Sequence, residues 1–337
     1  MAKVLVTGGG GFLGHGLCRR LLEAGHEVAS YSRASHASLR ALGVPQVQGD
    51  LADFGSVVDA CVGMEAVFHV GAKAGASGSF RDYFDANVRG TRNVIAGCRM
   101  HGVPNLIHTS SPSVAHNGHV EVQGGNETSA PVASRYMAYY PATKAVAERI
   151  VLDENGDGLR TIALRPRLIW GPGDNHLLPR LVKRAQSGRL RFIGDGSNRI
   201  DTTYIDNAVD AHLKAFTALT GKLAGRCTGK AYFISNGEPK PVAEIINALL
   251  ATAGVAAIEK HIPFAVAYAI GGVLERVYDV LNLRGEPPMT RFIAEQLATP
   301  HWYDIGAARR DFGYVPSVSI ATGLERLATW WRDRANP

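Results

Sequence analysis

Cysteine is scarce in this chain. Only Cys18, Cys61, Cys98 and Cys227 occur; they lie far apart and form no CxxC pair, which excludes a disulfide scaffold, offers no metal site and points to a reducing compartment. Long apolar runs are also missing. The longest, 264–274, falls short of the roughly 18 to 20 residues that a membrane span takes. No lysine-rich run stands out, and the surplus of 36 basic over 30 acidic residues is spread thin. A nucleic-acid partner is therefore not expected, although a mild positive field suits an anionic ligand. Met1-Ala2-Lys3 runs straight into an apolar strand, so no leader is expected, and the expected location is cytoplasmic. No internal repeat or low-complexity segment is visible.

What is present is an ordinary globular composition, 46% hydrophobic and 20% charged over 337 residues, enough for one large α/β unit or two smaller ones. Short apolar strands at 4–6, 27–31, 46–48 and 66–70 alternate with helical patterns. That alternation predicts a doubly wound parallel sheet with helices on both faces. A long helix is expected over 83–101, a strand over 106–110, a second helix over 140–152 and a further strand over 161–165. Past Trp170 the sequence Gly171-Pro172-Gly173-Asp174 breaks the pattern. The expected division is a nucleotide-binding domain over 1–170, rejoined by about 201–236 through strands at 203–205 and 232–234. A smaller, mostly helical substrate lobe, interleaved with it, takes 171–200 and 237–337. The apolar stretch 264–281 suits an ordinary buried helix, an alkyl channel, a partner surface or peripheral membrane contact.

The first strand runs into Thr7-Gly8-Gly9-Gly10-Gly11-Phe12-Leu13-Gly14. Gly8, Gly11 and Gly14 let the main chain turn tightly, let a pyrophosphate approach it and let the following helix pack on the strand. The N–H groups of the helix beginning near Phe12 then face the phosphates. Farther on, Tyr140-Pro141-Ala142-Thr143-Lys144 puts a phenol and an ammonium on one helix face. Bringing a tyrosine from about 10 to about 7 takes roughly 4 kcal/mol, which a lysine, a helix entrance and a nicotinamide cation together can supply. Such a tyrosine exchanges a proton with an alcohol or ketone oxygen. Thr109-Ser110-Ser111-Pro112-Ser113 closes the strand at the edge where open α/β sheets bind ligands, and a hydroxyl there can hold that oxygen.

Together these motifs resemble the extended short-chain dehydrogenase/reductases, over almost the whole chain. The resemblance implies that Ser111 is the catalytic hydroxyl, ahead of Ser110 and Ser113. It implies that Tyr140 is the acid/base, and that Lys144 binds the nicotinamide ribose and lowers the Tyr140 pKa. It also implies cofactor contacts from Gly8, Gly11, Phe12, Leu13 and Gly14, from Asp50 and Leu51, from Gly71, Ala72 and Lys73, and from Pro166. Asn87, in Asn87-Val88-Arg89-Gly90-Thr91, suits either a ligand contact or a helix polar residue. At the end of the second strand Ser32-Arg33 stands where an NAD-preferring member carries an acid, so NADP(H) is expected: no carboxylate repels a 2′-phosphate and a guanidinium can clamp it.

Ile200-Asp201-Thr202 and Pro166-Arg167 depart from the nucleotide-sugar branch. Arg165-Pro166-Arg167-Leu168-Ile169-Trp170, Tyr204-Ile205-Asp206-Asn207 and Arg310-Asp311-Phe312-Gly313-Tyr314 instead resemble the 3β-hydroxysteroid dehydrogenase-like branch. Within it, Trp170 to Leu181, Tyr232 to Pro239 and Thr299 to Tyr303 resemble the subgroup acting on 2-alkyl-3-oxoalkanoates in bacterial long-chain olefin biosynthesis. That implies reduction of a long-chain hydrophobic β-keto acid, a homodimer through the helices over 83–101 and 140–152, and a possible association with other enzymes of the pathway. Sterols and other bulky ketones would call on the same catalytic residues. A non-catalytic nucleotide sensor has no use for the Tyr140/Lys144 pair. Arg180, Lys183, Arg184, Arg189 and Arg191 suit either a carboxylate contact or a solvated helix face, and no carboxylate ligand is singled out.

Overall fold

The computed structural model describes residues 1–75, 78–116, 121–281, 283 and 287–335. Its centre is a seven-stranded parallel sheet built from β1 (Lys3–Thr7), β2 (Glu27–Ser32), β3 (Gln46–Gln48), β4 (Ala66–His69), β5 (Asn105–Thr109), β7 (Arg160–Pro166) and β12 (Lys230–Ile234). Their order across the sheet is β3-β2-β1-β4-β5-β7-β12. β1 reads Lys-Val-Leu-Val-Thr with its three apolar residues fully buried. Because side chains alternate across a strand, Val4 and Val6 enter one core with Leu17 and Leu21 of the helix Phe12–Glu23 and Val209 of the helix Ile205–Thr220. Leu5 enters the opposite core with Val57, Val94 and Val151. Two covered faces explain why the strands are apolar runs. The chain order reverses between β1 and β4, and that switch point opens a crevice at the carboxyl ends of the strands.

The remaining strands are short: β6 (Val122–Gly125), β8 (Ile169–Trp170), β9 (Phe192–Ile193), β10 (Arg199–Ile200), β11 (Thr203–Tyr204), β13 (Lys240–Pro241), β14 (His261–Ile262) and β15 (His301–Tyr303). The order β13-β10-β15-β6 makes a second, four-stranded sheet in the lobe. Three expectations change here. Residues 203–205 do not rejoin the main sheet, because β11 pairs with β8 and Ile205 already starts a helix. The segment Val122–Gly125, inside the expected 1–170 unit, pairs with His301–Tyr303 in the lobe. The expected single helix over 83–101 is a composite of Phe80–Tyr83, a widened π turn over Phe84–Arg89 and Gly90–Met100. Such turns recur at functional sites, and this one carries Asn87 inward.

The apolar stretch 264–281 is a helix, Phe264–Val280, with only Ala267 and Gly271 buried. An ordinary core helix is therefore not what it forms. A Cβ at Gly271 would lie 2.6 Å from the Thr290 carbonyl carbon, so glycine is what lets the helix seat on the 290–291 backbone. Val266, Ile270, Val273, Val277 and Val280 face outward. Among the described residues no helix is long and apolar enough to cross a membrane.

Candidate active site

The turn after β1 is shaped by close approaches that only glycine permits. Gly8 has φ +71°, and a Cβ on it would lie 2.8 Å from the Gly71 Cα; one on Gly14 would lie 2.2 Å from the Gly8 carbonyl oxygen. Gly11 caps the helix Phe12–Glu23 without a side-chain hydrogen bond, leaving first-turn N–H groups for an anion. A bare main-chain cradle at an uncapped helix start fits a dinucleotide pyrophosphate. From it a cleft of about 600 Å³ runs past Ser32, Arg33 and His36 and between Asp50 and Lys73. Leu51, Gly71 and Ala72 also line it. Leu13 and Pro166 are buried, and the Phe12 ring lies against Gly173.

His36, outside the expected set of cofactor contacts, also lines this cleft. Its ring covers Gly10, and the Gln46 side chain staples its backbone, accepting from the His36 N–H at 2.7 Å and donating to its carbonyl at 3.1 Å. A histidine three residues beyond Arg33 was the available signal. Asp50 uses one carboxylate oxygen to accept from the Ala52 N–H at 2.9 Å, which shapes the turn below the cleft.

β5 ends at Thr109, and two residues later Ser111 has extended backbone and caps the turn Pro112–Ala115. Its hydroxyl lies 2.9 Å from that of Ser113. Ser110 is buried, its hydroxyl without a partner among the described residues. Tyr140 is the second residue of the helix Tyr139–Asp153. Burial raises its pKa, and the nearby Ser111 hydroxyl offsets only part of this. Ser111 and Tyr140 therefore meet.

Lys144, one helical turn on from Tyr140, is buried. Its ammonium donates to the Thr109 carbonyl at 2.6 Å and lies 3.2 Å from the His108 Nε2, so its stem runs inward under the end of β5. Burial lowers its pKa to about 8, against the pull of Glu148. Glu148 is itself clamped by Arg165, at 2.8 Å from Nε and 2.6 Å from Nη2. Burial, then Lys144, push His108 well below the usual histidine value, so it is a neutral acceptor for the ammonium. His69 is likewise neutral, lowered to about 3 by burial and Lys144, and bridges the hydroxyls of Thr7 at 2.8 Å and Thr91 at 3.0 Å.

Asn87 proves to be a tie between elements. It accepts from the Lys73 N–H at 2.7 Å and donates to the Lys73 carbonyl and the Thr143 hydroxyl, both at 3.0 Å. The cleft wall at Lys73 is thus joined to the helix that bears Tyr140 and Lys144. Over Tyr140 opens a second cleft, of about 450 Å³, lined by Tyr83 and Met137 and, from the lobe, by Glu275, Tyr278 and Arg291. Arg291 is engaged there, 2.8 Å from Glu275. Arg180, Lys183, Arg189 and Arg191 lie on the exposed surface, and Arg184 donates to the Pro288 carbonyl at 2.8 Å.

Residues 5–265 match the 3-beta hydroxysteroid dehydrogenase/isomerase family. A 2-alkyl-3-oxoalkanoate reductase of Stenotrophomonas maltophilia is 57% identical over 96% of this chain and 98% of its own length. A second protein of that name, from Shewanella oneidensis, is 45% identical over 97% of this chain and 86% of its length. The sterol-4-alpha-carboxylate 3-dehydrogenase, decarboxylating, of Mus musculus is 34% identical over 96% and 89%. Among solved structures, a dTDP-glucose 4,6-dehydratase of Streptomyces venezuelae with NAD bound superposes with a TM-score of 0.77 at 23% identity, covering 99% of this chain and 98% of that one. That likeness is one of fold.

Proposed function

We propose, from the premise that this chain belongs to the 3-beta hydroxysteroid dehydrogenase/isomerase family, that it is an NADPH-dependent oxidoreductase reducing a long-chain 2-alkyl-3-oxoalkanoic acid to the 2-alkyl-3-hydroxy acid. The observation that carries the chemistry is the approach of the Ser111 hydroxyl, at the end of β5, to the buried Tyr140 phenol at the start of its helix. The substrate class rests on the two reductases at 57% and 45% identity. The bound dinucleotide supplies the two electrons that reduce the ketone. Ser111 holds the ketone oxygen by donating to it, and Tyr140 hands its phenolic proton to that oxygen as negative charge builds there. Because burial keeps the Tyr140 phenol protonated at neutral pH, it is an acid in waiting, which suits the reductive direction. Lys144, fixed by Thr109, lines the ribose side of the site. Gly8, Gly11, Phe12, Leu13 and Gly14 meet the pyrophosphate through main chain, with Asp50 and Leu51 toward the adenine and Gly71, Ala72, Lys73 and Pro166 along the nicotinamide half.

The choice of NADP(H) is supported by Ser32 and the exposed Arg33 on the cleft wall, with His36 beside them. Four free, buried thiols suit a cytoplasmic protein. A homodimer is supported by the helices Gly90–Met100 and Tyr139–Asp153, which pack side by side and leave Met100 and Val146 exposed. Association with other enzymes of olefin biosynthesis belongs to the same reading.

The test is cofactor reduction with a synthetic 2-alkyl-3-hydroxyalkanoic acid, run with NADP⁺ and NAD⁺ and beside a 3β-hydroxysteroid, on the wild type and Tyr140→Phe. Turnover of the hydroxy acid with NADP⁺ preferred is expected. Tyr140→Phe should lose about a hundredfold or more of it while retaining NADP⁺ affinity. Turnover of the steroid alone would replace the substrate assignment, and full activity in Tyr140→Phe would remove the mechanism.

A further inference from the structure

Beside the catalytic turn lies a cation that none of the chemistry above uses. Arg167 follows β7 directly, and β7 is joined to the catalytic strand end by the Ser110 N–H, which donates to the Leu164 carbonyl at 2.6 Å. The Arg167 backbone is pinned at both ends: its N–H donates to the Ile234 carbonyl at 3.0 Å, and its carbonyl accepts from the Thr203 hydroxyl at 2.6 Å. The next residue, Leu168, has φ +35°, a region that bulky side chains rarely adopt and that recurs at ligand sites.

The side chain is equally well placed. Its Nη2 donates to the Nε2 of His301, whose Nδ1 lies 2.6 Å from the Thr299 carbonyl. A carbonyl can only accept, so Nδ1 carries the proton and Nε2 offers a lone pair. Burial, then Arg167, keep that ring neutral. His301 stacks on His116, with centroids 5.1 Å apart, and His116 ends the turn that Ser111 begins. The Tyr303 hydroxyl donates to the Pro112 carbonyl of that turn at 3.4 Å. One cluster therefore holds both Ser111 and Arg167.

What Arg167 lacks is a negative partner. Among the described residues no carboxylate forms an ion pair with it, and its Nε is buried without an acceptor. The neighbouring cations are engaged: Arg165 by Glu148, Arg291 by Glu275, and Lys144 by Thr109 and His108. Asp201 acts on Arg167 only through space. Its carboxylate accepts from the Ser235 hydroxyl and from the Thr202 N–H, the latter at 2.8 Å. A partly buried guanidinium with one arm tied to a neutral ring and a free Nε is a fork awaiting an anion.

We infer that Arg167 is the carboxylate receiver of the site: it holds the acid group of the β-oxo acid while the oxo oxygen, two carbons along, rests on Ser111 and Tyr140. This inference rests on the reductase reading above. His301 is its positioning residue, fixing the fork without neutralising it.

The test compares a 2-alkyl-3-hydroxyalkanoic acid with its methyl ester, which keeps the reacting alcohol and removes the charge, at saturating NADP⁺. Wild type should favour the acid in KM. Arg167→Met should raise KM for the acid about tenfold or more and leave KM for the ester within about twofold, with Arg167→Lys between. Equal shifts for acid and ester, or a fall in kcat alone, would assign Arg167 to the scaffold and overturn the inference. Should Arg167→Met fail to fold, wild-type enzyme with NADP⁺ is titrated with a non-reacting 2-alkylalkanoate and its methyl ester; tighter binding of the acid supports the inference and equal affinity overturns it. A wild type that oxidises neither alcohol overturns the reductase reading and this inference with it, whereas one that oxidises both with equal KM overturns the inference alone.

Discussion

Lys144 is a charge placed where the fold would be better off without one. It is 2% exposed, and burial brings its pKa down to about 8 from the roughly 10.4 of a free lysine. A folded-state pKa below the unfolded one means the unfolded chain holds the proton more tightly. The resulting penalty is full below pH 8, shrinks as pH rises and is gone once the unfolded lysine also loses its proton, near 10.4. Each pKa unit is worth about 1.4 kcal/mol, so the full penalty is on the order of 3 kcal/mol, less what the hydrogen bond to Thr109 returns. Lys144→Met is therefore expected to lose activity and yet to gain about 1 to 3 kcal/mol of stability at pH 7, an advantage that fades by pH 10. Urea unfolding at the two pH values decides it, since an equal gain at both would show that titration is not the cause. The lysine and its tyrosine were legible from their four-residue spacing. The neighbours that hold the lysine were not, since His108 reaches Lys144 across 36 residues of sequence; nor was the contact of His301 with Arg167, across 134.

At the scale of elements, the proposed preference for NADP(H) rests on the end of β2. Ser32 turns its hydroxyl to the Ala34 carbonyl at 3.0 Å and shares the cleft wall with Arg33 and His36, with no carboxylate among the three. Placing a carboxylate there by Ser32→Asp is expected to raise KM for NADP⁺ by about ten- to a hundredfold through repulsion of the 2′-phosphate, while KM for NAD⁺ changes little or falls. Parallel changes for both cofactors would mean that this loop does not read the phosphate. The composite helix at 80–100 carries a different lesson. Its apolar spacing is that of an ordinary helix, and the π turn at Phe84–Arg89 is stabilised by partners from elsewhere, Lys73 and Thr143, that draw Asn87 inward. The helix Phe264–Val280 shows the converse. Apolar on nearly every side, it is held by Gly271 against Thr290 and by Glu275 against Arg291, and its outer valines are left uncovered.

At the scale of the molecule, the proposed dimer places the helix Tyr139–Asp153 at a subunit contact. Val146 is 45% exposed in the single chain, so Val146→Glu should leave the melting temperature of the isolated subunit almost unchanged while shifting a dimer to monomer in sedimentation; an unchanged sedimentation coefficient would remove this face from the interface. The sequence by itself determined what short-range spacing can encode: the strand-turn-helix with its three glycines, the strand and helix alternation of a doubly wound sheet, and the serine, tyrosine and lysine at the edge of that sheet. Only the tertiary structure decided what depends on partners distant along the chain. These are the pairing of Lys230–Ile234 with Arg160–Pro166, the capture of Val122–Gly125 by the lobe, the inward turn of Lys144 and the exposure of the helix Phe264–Val280. The physical reason is that an apolar stretch or a charged side chain has a preference for its surroundings but no means of choosing them; burial and pairing are properties of two segments at once, and one of the two is always elsewhere in the sequence.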